Sequence, residues 1–314
     1  MTATVRVGVV GVGYLGKFHA RIYAAMPGVE LVGVVDADAE TAARIAKEYA
    51  CRSFVQAEDL LGKVDAVSIV VPTIHHLHVA RAFLERGVHM LMEKPLAATY
   101  EDAKTIVEIA ERNKVILQVG HLERYNAGFM ALAESVKEPR FIEAHRLGTF
   151  VERATDVDVV TDLMIHDIDI VMSLVNSPIR EISAIGVPVL TEHADIANAR
   201  IEFENGAVAN VTASRVSNKK QRRIRVFGRH SYHALDFGDS QVEVAHAVPN
   251  PAGGRPEITA ERLTIEPQPP LDAELADFID CVRHKRAPLV GGRTGLEALR
   301  VALLVKEKIA SCQS

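Results

Sequence analysis

A glycine-spaced turn directly after the first apolar segment constrains the fold more than any other feature of this chain. Residues 5–16 read VRVGVVGVGYLG, so an apolar run is followed by glycines at the spacing G-x-G-x-x-G. The run predicts a buried strand that turns sharply into a helix. Gly11 would permit the turn, Gly13 would let a pyrophosphate approach the backbone, and Gly16 would allow helix and strand to pack closely. The free N–H groups and the dipole of that helix would hold the pyrophosphate.

An acidic residue at the end of the next strand indicates which dinucleotide binds. After a helix predicted over 15–26, the apolar segment LVGVVD ends on Asp36, about 20 residues past the last glycine. A carboxylate here accepts hydrogen bonds from the adenosine ribose of NAD and repels the 2′-phosphate of NADP. Ala37 rather than an arginine follows, so we predict NAD as the cofactor. The alternative is that Asp36 only caps the helix predicted over 38–49.

Length and periodicity predict two domains. The chain has 314 residues, 48% of them hydrophobic, enough for a large core. Apolar strands alternate with helices up to residue 121, which predicts a doubly wound Rossmann domain over 1–121. Segments beyond it alternate apolar with polar residues, so 122–314 is predicted as an α+β domain with a large, open, mainly antiparallel sheet. Helices are predicted over 157–174, 271–283 and 294–310, the last two packing back toward the first domain.

Charge and cysteine content narrow the classes of partner. The net charge of -5 argues against nucleic acid or an anionic membrane, and the basic run 219–225 is interpreted as a solvated strand face. No apolar run approaches the roughly 18 residues of a membrane span, and we expect a cytoplasmic protein. Three widely spaced cysteines indicate neither a disulfide framework nor a thiolate metal site. A sheet with one bare face would associate with another copy, so a dimer or tetramer through the second domain is expected.

The segment Glu93-Lys94-Pro95 offers a cation at the carboxyl edge of the first sheet, where ligands bind in doubly wound folds. Pro95 restricts the backbone on both sides of the peptide bond, so Lys94 is predicted to be directed into a site. A surface lysine in a turn is the alternative interpretation.

A second chemical group lies on the helix predicted over 157–174. Asp162 and His166 are four residues apart and share a face, so the carboxylate can orient the imidazole. His166 can then take a hydroxyl proton while hydride leaves the same carbon. Asp169 lies on the same broad face, which leaves a metal site as an alternative. A second histidine at the right spacing and a thiolate are missing, so no metal is predicted.

Two loops carry further candidates for binding. In the loop that contains Pro72 and Thr73, His76 is better placed than the neighbouring histidines to open a helix that faces the cofactor. In the segment GHLERYN, Arg124 and Asn126 suit an anionic or polar ligand at the domain junction. The alternative for Arg124 is an interdomain salt bridge.

Together these motifs resemble a known family. GVGYLG, VPTIHH, MEKPLA, VGH and the D-x-x-x-H helix, in this order, resemble the Gfo/Idh/MocA family of NAD(P)-dependent oxidoreductases acting on sugars and polyols. The resemblance implies that His166 is the catalytic acid/base, that Lys94 binds and polarises the reacting oxygen, and that Asp162 supports both. The implied cofactor site comprises Gly11, Gly13, Tyr14, Leu15, Gly16, Asp36, Pro72, Thr73, His76, Glu93 and Lys94. The implied substrate site comprises Lys94, His121, Arg124, Asn126, Asp162 and His166.

Within that family, GHLERYN and DLMIHDIDI are most similar to the branch that includes UDP-N-acetylglucosamine 3-dehydrogenases. The resemblance implies oxidation of the sugar 3-hydroxyl of a UDP-hexosamine to a ketone. Two alternatives remain open. One is a dehydrogenase of a free sugar or a polyol such as inositol. The other is a catalytically silent NAD-binding regulatory module, which would keep the glycines and Asp36 but would not need Lys94 and His166.

Overall fold

The computed structural model describes residues 4–151, 157–239, 241–250, 255–266 and 268–313. Up to residue 122 its strands and helices are β1 (Val5–Val10), α1 (Gly16–Ala25), β2 (Val29–Val35), α2 (Ala39–Glu48), β3 (Arg52–Phe54), β4 (Ala66–Ile69), α3 (His76–Leu84), β5 (His89–Glu93), α4 (Tyr100–Arg112) and β6 (Leu117–Gly120). Those that follow are α5 (Ala127–Ser135), β7 (Phe141–Leu147), α6 (Ile165–Val175), β8 (Ile179–Val187), β9 (Ile196–Phe203), β10 (Val208–Ser214), β11 (Gln221–Phe227), β12 (Ser231–Asp236), β13 (Gln241–Val248), β14 (Glu257–Leu263), α7 (Pro270–His284) and α8 (Gly292–Gln313).

The first sheet is parallel and doubly wound, as predicted. Its six strands run in the order β3-β2-β1-β4-β5-β6. All four residues of β4 are buried, so the sheet is covered on both faces. The strand order reverses between β1 and β4, and the loops after these two strands therefore open at the crevice where such folds bind ligands. The pattern did not predict β3, because its three residues are too few for a period.

The second sheet has eight strands in the order β14-β13-β12-β11-β7-β10-β9-β8. It is mainly antiparallel, as predicted, with one parallel pair between β7 and β10. The prediction missed α5, β7, β13 and β14. Residues 248–256 are rich in proline and glycine, which predicts an exposed loop. In the structure β13 ends at Val248, and 251–254 lie outside the described residues. The helix predicted over 157–174 is α6 preceded by one π-type turn, Val160–Met164.

The chain divides into two compact units, and the first one contains residues from both ends of the sequence. It comprises Met1–Leu122 and Pro269–Leu299, and the second comprises Glu123–Gln268 and Arg300–Ser314. This corrects the single boundary expected after residue 121. The reason is the apolar stripe of α7, whose buried side chains join the core that β1 and α1 form. No helix in the described part of the chain is long and apolar enough to cross a bilayer.

Candidate active site

The glycine loop has the geometry of a dinucleotide site. Gly11 has a φ of +86°, and a Cβ there would lie 2.6 Å from the Val70 carbonyl oxygen. A Cβ on Gly16 would lie 1.8 Å from the Gly11 carbonyl oxygen, so only glycine allows α1 to begin this close to β1. The space around a Cβ on Gly13 is open for 4 Å. That opening at the start of a helix fits the approach of a pyrophosphate.

Asp36 is fixed at the end of β2 by two backbone amides. The Val12 N–H donates to Oδ2 at 2.9 Å, and the Asp38 N–H donates to Oδ1 at 3.0 Å. The helix-capping alternative for Asp36 is wrong, because Asp38 is the N-cap of α2 and accepts from the Glu40 N–H at 3.1 Å. An ionised carboxylate has about four acceptor positions, so Asp36 retains capacity for ribose hydroxyls.

A cavity of 830 Å³ lies at these loops, within the first unit. Seven of the predicted cofactor residues line it, namely Gly11, Gly13, Leu15, Asp36, Pro72, Glu93 and Lys94. Tyr14, Gly16, Thr73 and His76 are not among its lining residues, whereas His75 and His78 are. The peptide bond between Lys94 and Pro95 is cis. The glycines, Asp36 and Lys94 all line this cavity, so the residues present fit a dinucleotide.

His76 requires a correction. Its side chain is buried, with Nδ1 3.2 Å from the Leu96 carbonyl oxygen and Nε2 3.0 Å from that of Val71. Burial lowers the pKa of this imidazole. The buried His76 imidazole thus links the loop that follows β4 to the loop that follows β5. The sequence could not show this, because Leu96 is 20 residues away.

A buried polar cluster that the sequence analysis missed lies within the first unit near Glu93. The His19 Nε2 atom is 3.3 Å from Glu93 Oε1, within ion-pair range although not in hydrogen-bonding geometry. The Tyr23 and Ser68 hydroxyl oxygens are 2.8 Å apart. These groups come from α1, β4 and β5, so the cluster ties the strand that ends just before Lys94 to the helix of the glycine loop.

Glu274 of α7 is the most unusual member of this cluster. It is fully buried, and its carboxyl oxygens have no hydrogen-bond partner among the described residues. Burial raises the pKa of Glu274 well above its usual value, and the negative charge of Glu93 adds to the rise. The sequence did indicate that Glu274 is buried, because this residue falls inside the apolar stripe formed by Leu275, Phe278 and Ile279.

The second unit carries Asp162 and His166 on one helical segment. Asp162 lies in the π-type turn and His166 in the first turn of α6, and both are half-buried. A π turn is wider than an α turn and is frequent at functional sites. Among the described residues, no group of three or more acids, histidines or cysteines is arranged to hold a metal ion.

Arg124 and Asn126 are engaged within the second unit. Arg124 Nη1 is 3.4 Å from Asp169 Oδ1, and its guanidinium lies 5.9 Å from the centre of the Phe129 ring. The interdomain interpretation of Arg124 is wrong, because Asp169 belongs to the same unit. Asn126 caps α5 by accepting from the Phe129 N–H at 3.1 Å. His121, in the first unit, is buried.

A second arginine in this unit, Arg146 of β7, was not predicted. It donates to both oxygens of Asp167 at 2.9 and 3.0 Å, and to Glu123 Oε1 at 2.6 Å. Burial lowers the pKa of Arg146, but the charges of Asp167 and Glu123 outweigh it and leave the pKa raised. Burial raises the pKa of Asp167, because it penalises the charged carboxylate, and the positive charge of Arg146 opposes that rise. We take the pair as ionic, because the contact is bidentate.

Comparisons with known proteins agree with this geometry. Residues 5–121 match the model of the Gfo/Idh/MocA oxidoreductase family with an NAD-binding Rossmann fold, and 135–232 match its C-terminal domain. The UDP-N-acetylglucosamine 3-dehydrogenase of Acidithiobacillus ferrooxidans is 38% identical over 302 residues, 96% of each chain. Its solved structure gives a TM-score of 0.92 at 37% identity over 98% of each chain. Inositol 2-dehydrogenase 3 of Saccharopolyspora erythraea is 35% identical over 188 residues, 56% of this chain and 55% of that protein.

Fold, glycine loop and relatives together define an NAD-dependent oxidoreductase that acts on a sugar. The chain belongs to the Gfo/Idh/MocA family.

Proposed function

We propose that this protein oxidises the 3-hydroxyl of UDP-N-acetylglucosamine, or of a close UDP-hexosamine, to the 3-keto sugar with NAD. The extent of similarity carries the proposal. The UDP-N-acetylglucosamine 3-dehydrogenase matches 96% of this chain, including the second unit with His166, whereas the inositol enzyme matches 56%. The Rossmann domain is common to many substrates, so likeness in the second unit is the better guide to the substrate.

In the proposed reaction, His166 accepts the proton of the hydroxyl group as the C–H bond of the same carbon breaks. Lys94 donates a hydrogen bond to the same oxygen and stabilises the negative charge that develops there. Asp162, four residues before His166, orients the imidazole for this proton transfer. When bound, NAD supplies the acceptor for the hydride.

A substrate panel tests the proposal. Binding energy from a remote UDP group can hold the sugar hydroxyl in place, so its removal should lower kcat as well as raise KM. We expect free N-acetylglucosamine and inositol to be at least roughly a hundredfold worse than UDP-N-acetylglucosamine in kcat/KM, a difference of about 2.7 kcal/mol. If inositol or a free sugar matched the UDP-sugar, the alternative of a free-polyol dehydrogenase would replace this one.

Two variants test the proposed catalytic roles with the same substrates. Loss of a positioned acid/base costs about 10² to 10⁴ in rate, and loss of one charge-stabilising donor costs about 10² to 10³. His166→Ala and Lys94→Ala should therefore both be nearly inactive and still bind NAD, measured by fluorescence titration with NADH. A Lys94→Ala enzyme with near wild-type kcat would show that the role of Lys94 is wrongly assigned.

A further inference from the structure

A second cavity, of 440 Å³, lies entirely within the second unit. Its wall includes Arg146 and Thr149 from β7 and the residues after it, Leu163 from the π-type turn, and Lys220 and Arg222 at the start of β11. Three of these side chains are cations. The cavity is therefore suited to an anion, provided that the positive charge is not already neutralised within the fold.

The acidic side chains of this unit neutralise only part of the positive charge in the cavity wall. Arg222 lies directly opposite Arg146 in the antiparallel pairing of β11 with β7, and like charges in this position destabilise a sheet. Arg222 Nη1 lies 3.9 Å from Glu123 Oε1, an oxygen that Arg146 already binds at 2.6 Å. The Lys220 ammonium and the Thr149 hydroxyl have no polar partner among the described residues. Two cations and a hydroxyl thus remain available to a ligand.

The side chain of Arg222 is 62% exposed, which agrees with the interpretation of 219–225 as solvated, and its position on β11 shows from which side of the sheet it extends. Side chains alternate along β11, and Arg222 has the same parity as the buried Ile224 and Val226. Arg223 and Arg225 have the opposite parity, and Arg225 pairs with Glu143 at 2.5 Å. The basic run is therefore split, with Arg222 toward the side of the sheet that holds the core.

The cavity is also close to the proposed acid/base. Leu163 precedes His166 by three residues on one helical segment, a separation of about 4.5 Å along the axis. In a UDP-hexosamine one sugar ring separates the 3-hydroxyl from the anomeric carbon that carries the diphosphate. A sugar held with its 3-hydroxyl at His166 can therefore place its diphosphate in this cavity.

We propose that this cavity binds the diphosphate of the nucleotide sugar, with Lys220 and Arg222 as the binding cations and the Thr149 hydroxyl as a further donor. Arg146 also lines the cavity, but Asp167 and Glu123 already engage its guanidinium, so it is a positioning residue. The inference rests on the proposed function. It also replaces Arg124, which Asp169 and Phe129 already engage, as the anion-binding arginine.

The experiment compares two double variants of equal charge. Lys220→Gln with Arg222→Gln removes the two available cations from the cavity. Lys219→Gln with Arg223→Gln removes the same charge from the adjacent positions, and neither of those residues lines the cavity. For each protein loaded with NADH, which cannot oxidise the sugar, calorimetry gives the Kd of UDP-N-acetylglucosamine, UDP, inorganic pyrophosphate and uridine, and thermal unfolding checks the fold.

We expect the cavity variant to weaken binding of UDP, pyrophosphate and the UDP-sugar by about tenfold or more, because charge-assisted hydrogen bonds to phosphate are lost. Uridine binding should be unchanged, and the control variant should stay within about twofold of wild type for every ligand. Turnover of UDP-N-acetylglucosamine should fall in the cavity variant only.

The outcomes separate the two proposals. If wild type binds and oxidises UDP-N-acetylglucosamine but the cavity variant matches it, the cavity inference is wrong and the proposed function stands. Equal losses in the control variant would also overturn the inference, since they would show general attraction by surface charge. If wild type neither binds nor oxidises any UDP-sugar, the proposed function fails and the inference falls with it. Each single variant, Lys220→Gln and Arg222→Gln, should show a part of the same loss.

Discussion

At the scale of single residues, the Asp36 carboxylate contributes a negative charge to the wall of the cavity beside the glycine loop. The amides of Val12 and Asp38 hold it in place before any ligand arrives. Glu58 and Glu93 add two more acids to the cavity wall, and Lys94 is the one lysine or arginine among the described residues that line it. A 2′-phosphate would bring about two negative charges to this acidic wall, so the cavity favours NAD over NADP.

Replacement of Asp36 by Ala should erode the preference for NAD, mainly through weaker NAD binding, because the hydrogen bonds to the ribose are lost. We expect a loss of about tenfold in kcat/KM for NAD, the size of one charge-assisted hydrogen bond, with little loss for NADP. Asp38→Ala is the matched control. It removes the cap of α2, should cost about 1 kcal/mol of stability, and should leave the cofactor ratio unchanged. Equal kcat/KM for both cofactors in wild type would contradict the argument.

The role of a residue was predictable from the sequence where it depends on the local backbone conformation. It was not predictable where it depends on contacts with residues far away in the sequence. The turn at Gly11 and the close packing at Gly16 follow from local chain geometry. The sequence analysis expected His76 to face the cofactor and Arg124 to bind an anionic or polar ligand. In the structure the His76 imidazole contacts the Leu96 carbonyl oxygen, and Arg124 contacts Asp169 of α6. Only the folded chain brings these partners together.

At the scale of elements, α7 places a carboxyl inside an apolar stripe. Burial raises the pKa of Glu274, so the folded state keeps its proton at a pH where the unfolded chain has lost it. The contribution of this group to stability is therefore full below the unfolded pKa of about 4.3, and it is lost as the pH rises through the folded pKa. The neutral carboxyl fits beside Glu93, and ionisation would place two negative charges in one buried cluster.

Glu274→Gln should remove this pH dependence, because an amide of the same shape carries no charge at any pH. Relative to wild type, we expect the variant to gain stability between pH 5 and pH 8 by about 1.4 kcal/mol for each unit by which the folded pKa is raised within that window. Thermal unfolding at several pH values measures the gain as a shift of a few degrees in Tm. Glu274→Leu should show the same trend with pH even if its packing costs stability. A difference in Tm that does not change with pH would show that Glu274 is ionised in the folded protein.

At the scale of the whole molecule, the first unit is formed by two separate stretches of the sequence. Periodicity identified the strands up to residue 120 other than β3, and it identified the two C-terminal helices, which were expected to pack back toward the first domain. It did not show that 269–299 form one compact unit with 1–122. Several contacts join the distant parts of this unit. The Val119 N–H donates to the Val290 carbonyl at 2.9 Å, and Gln118 Nε2 donates to the Glu274 carbonyl at 3.0 Å. We propose that the cofactor-binding domain comprises 4–122 together with 269–299.

A fragment of residues 1–122 should therefore fail to fold as a stable NAD-binding domain. It lacks Leu275, Phe278 and Ile279, which are fully buried in the shared core and contribute about 1.5–3 kcal/mol each. That sum is comparable with the whole stability of a typical domain, about 5–15 kcal/mol. The same fragment joined to residues 269–299 by a flexible linker of about 15 residues should unfold cooperatively and bind NAD. Phe278→Ser in the linked form should return it to the behaviour of the short fragment. Calorimetry with and without NAD distinguishes the forms, and a short fragment that unfolds cooperatively and binds NAD as tightly as the linked one would show that the domain ends at residue 122.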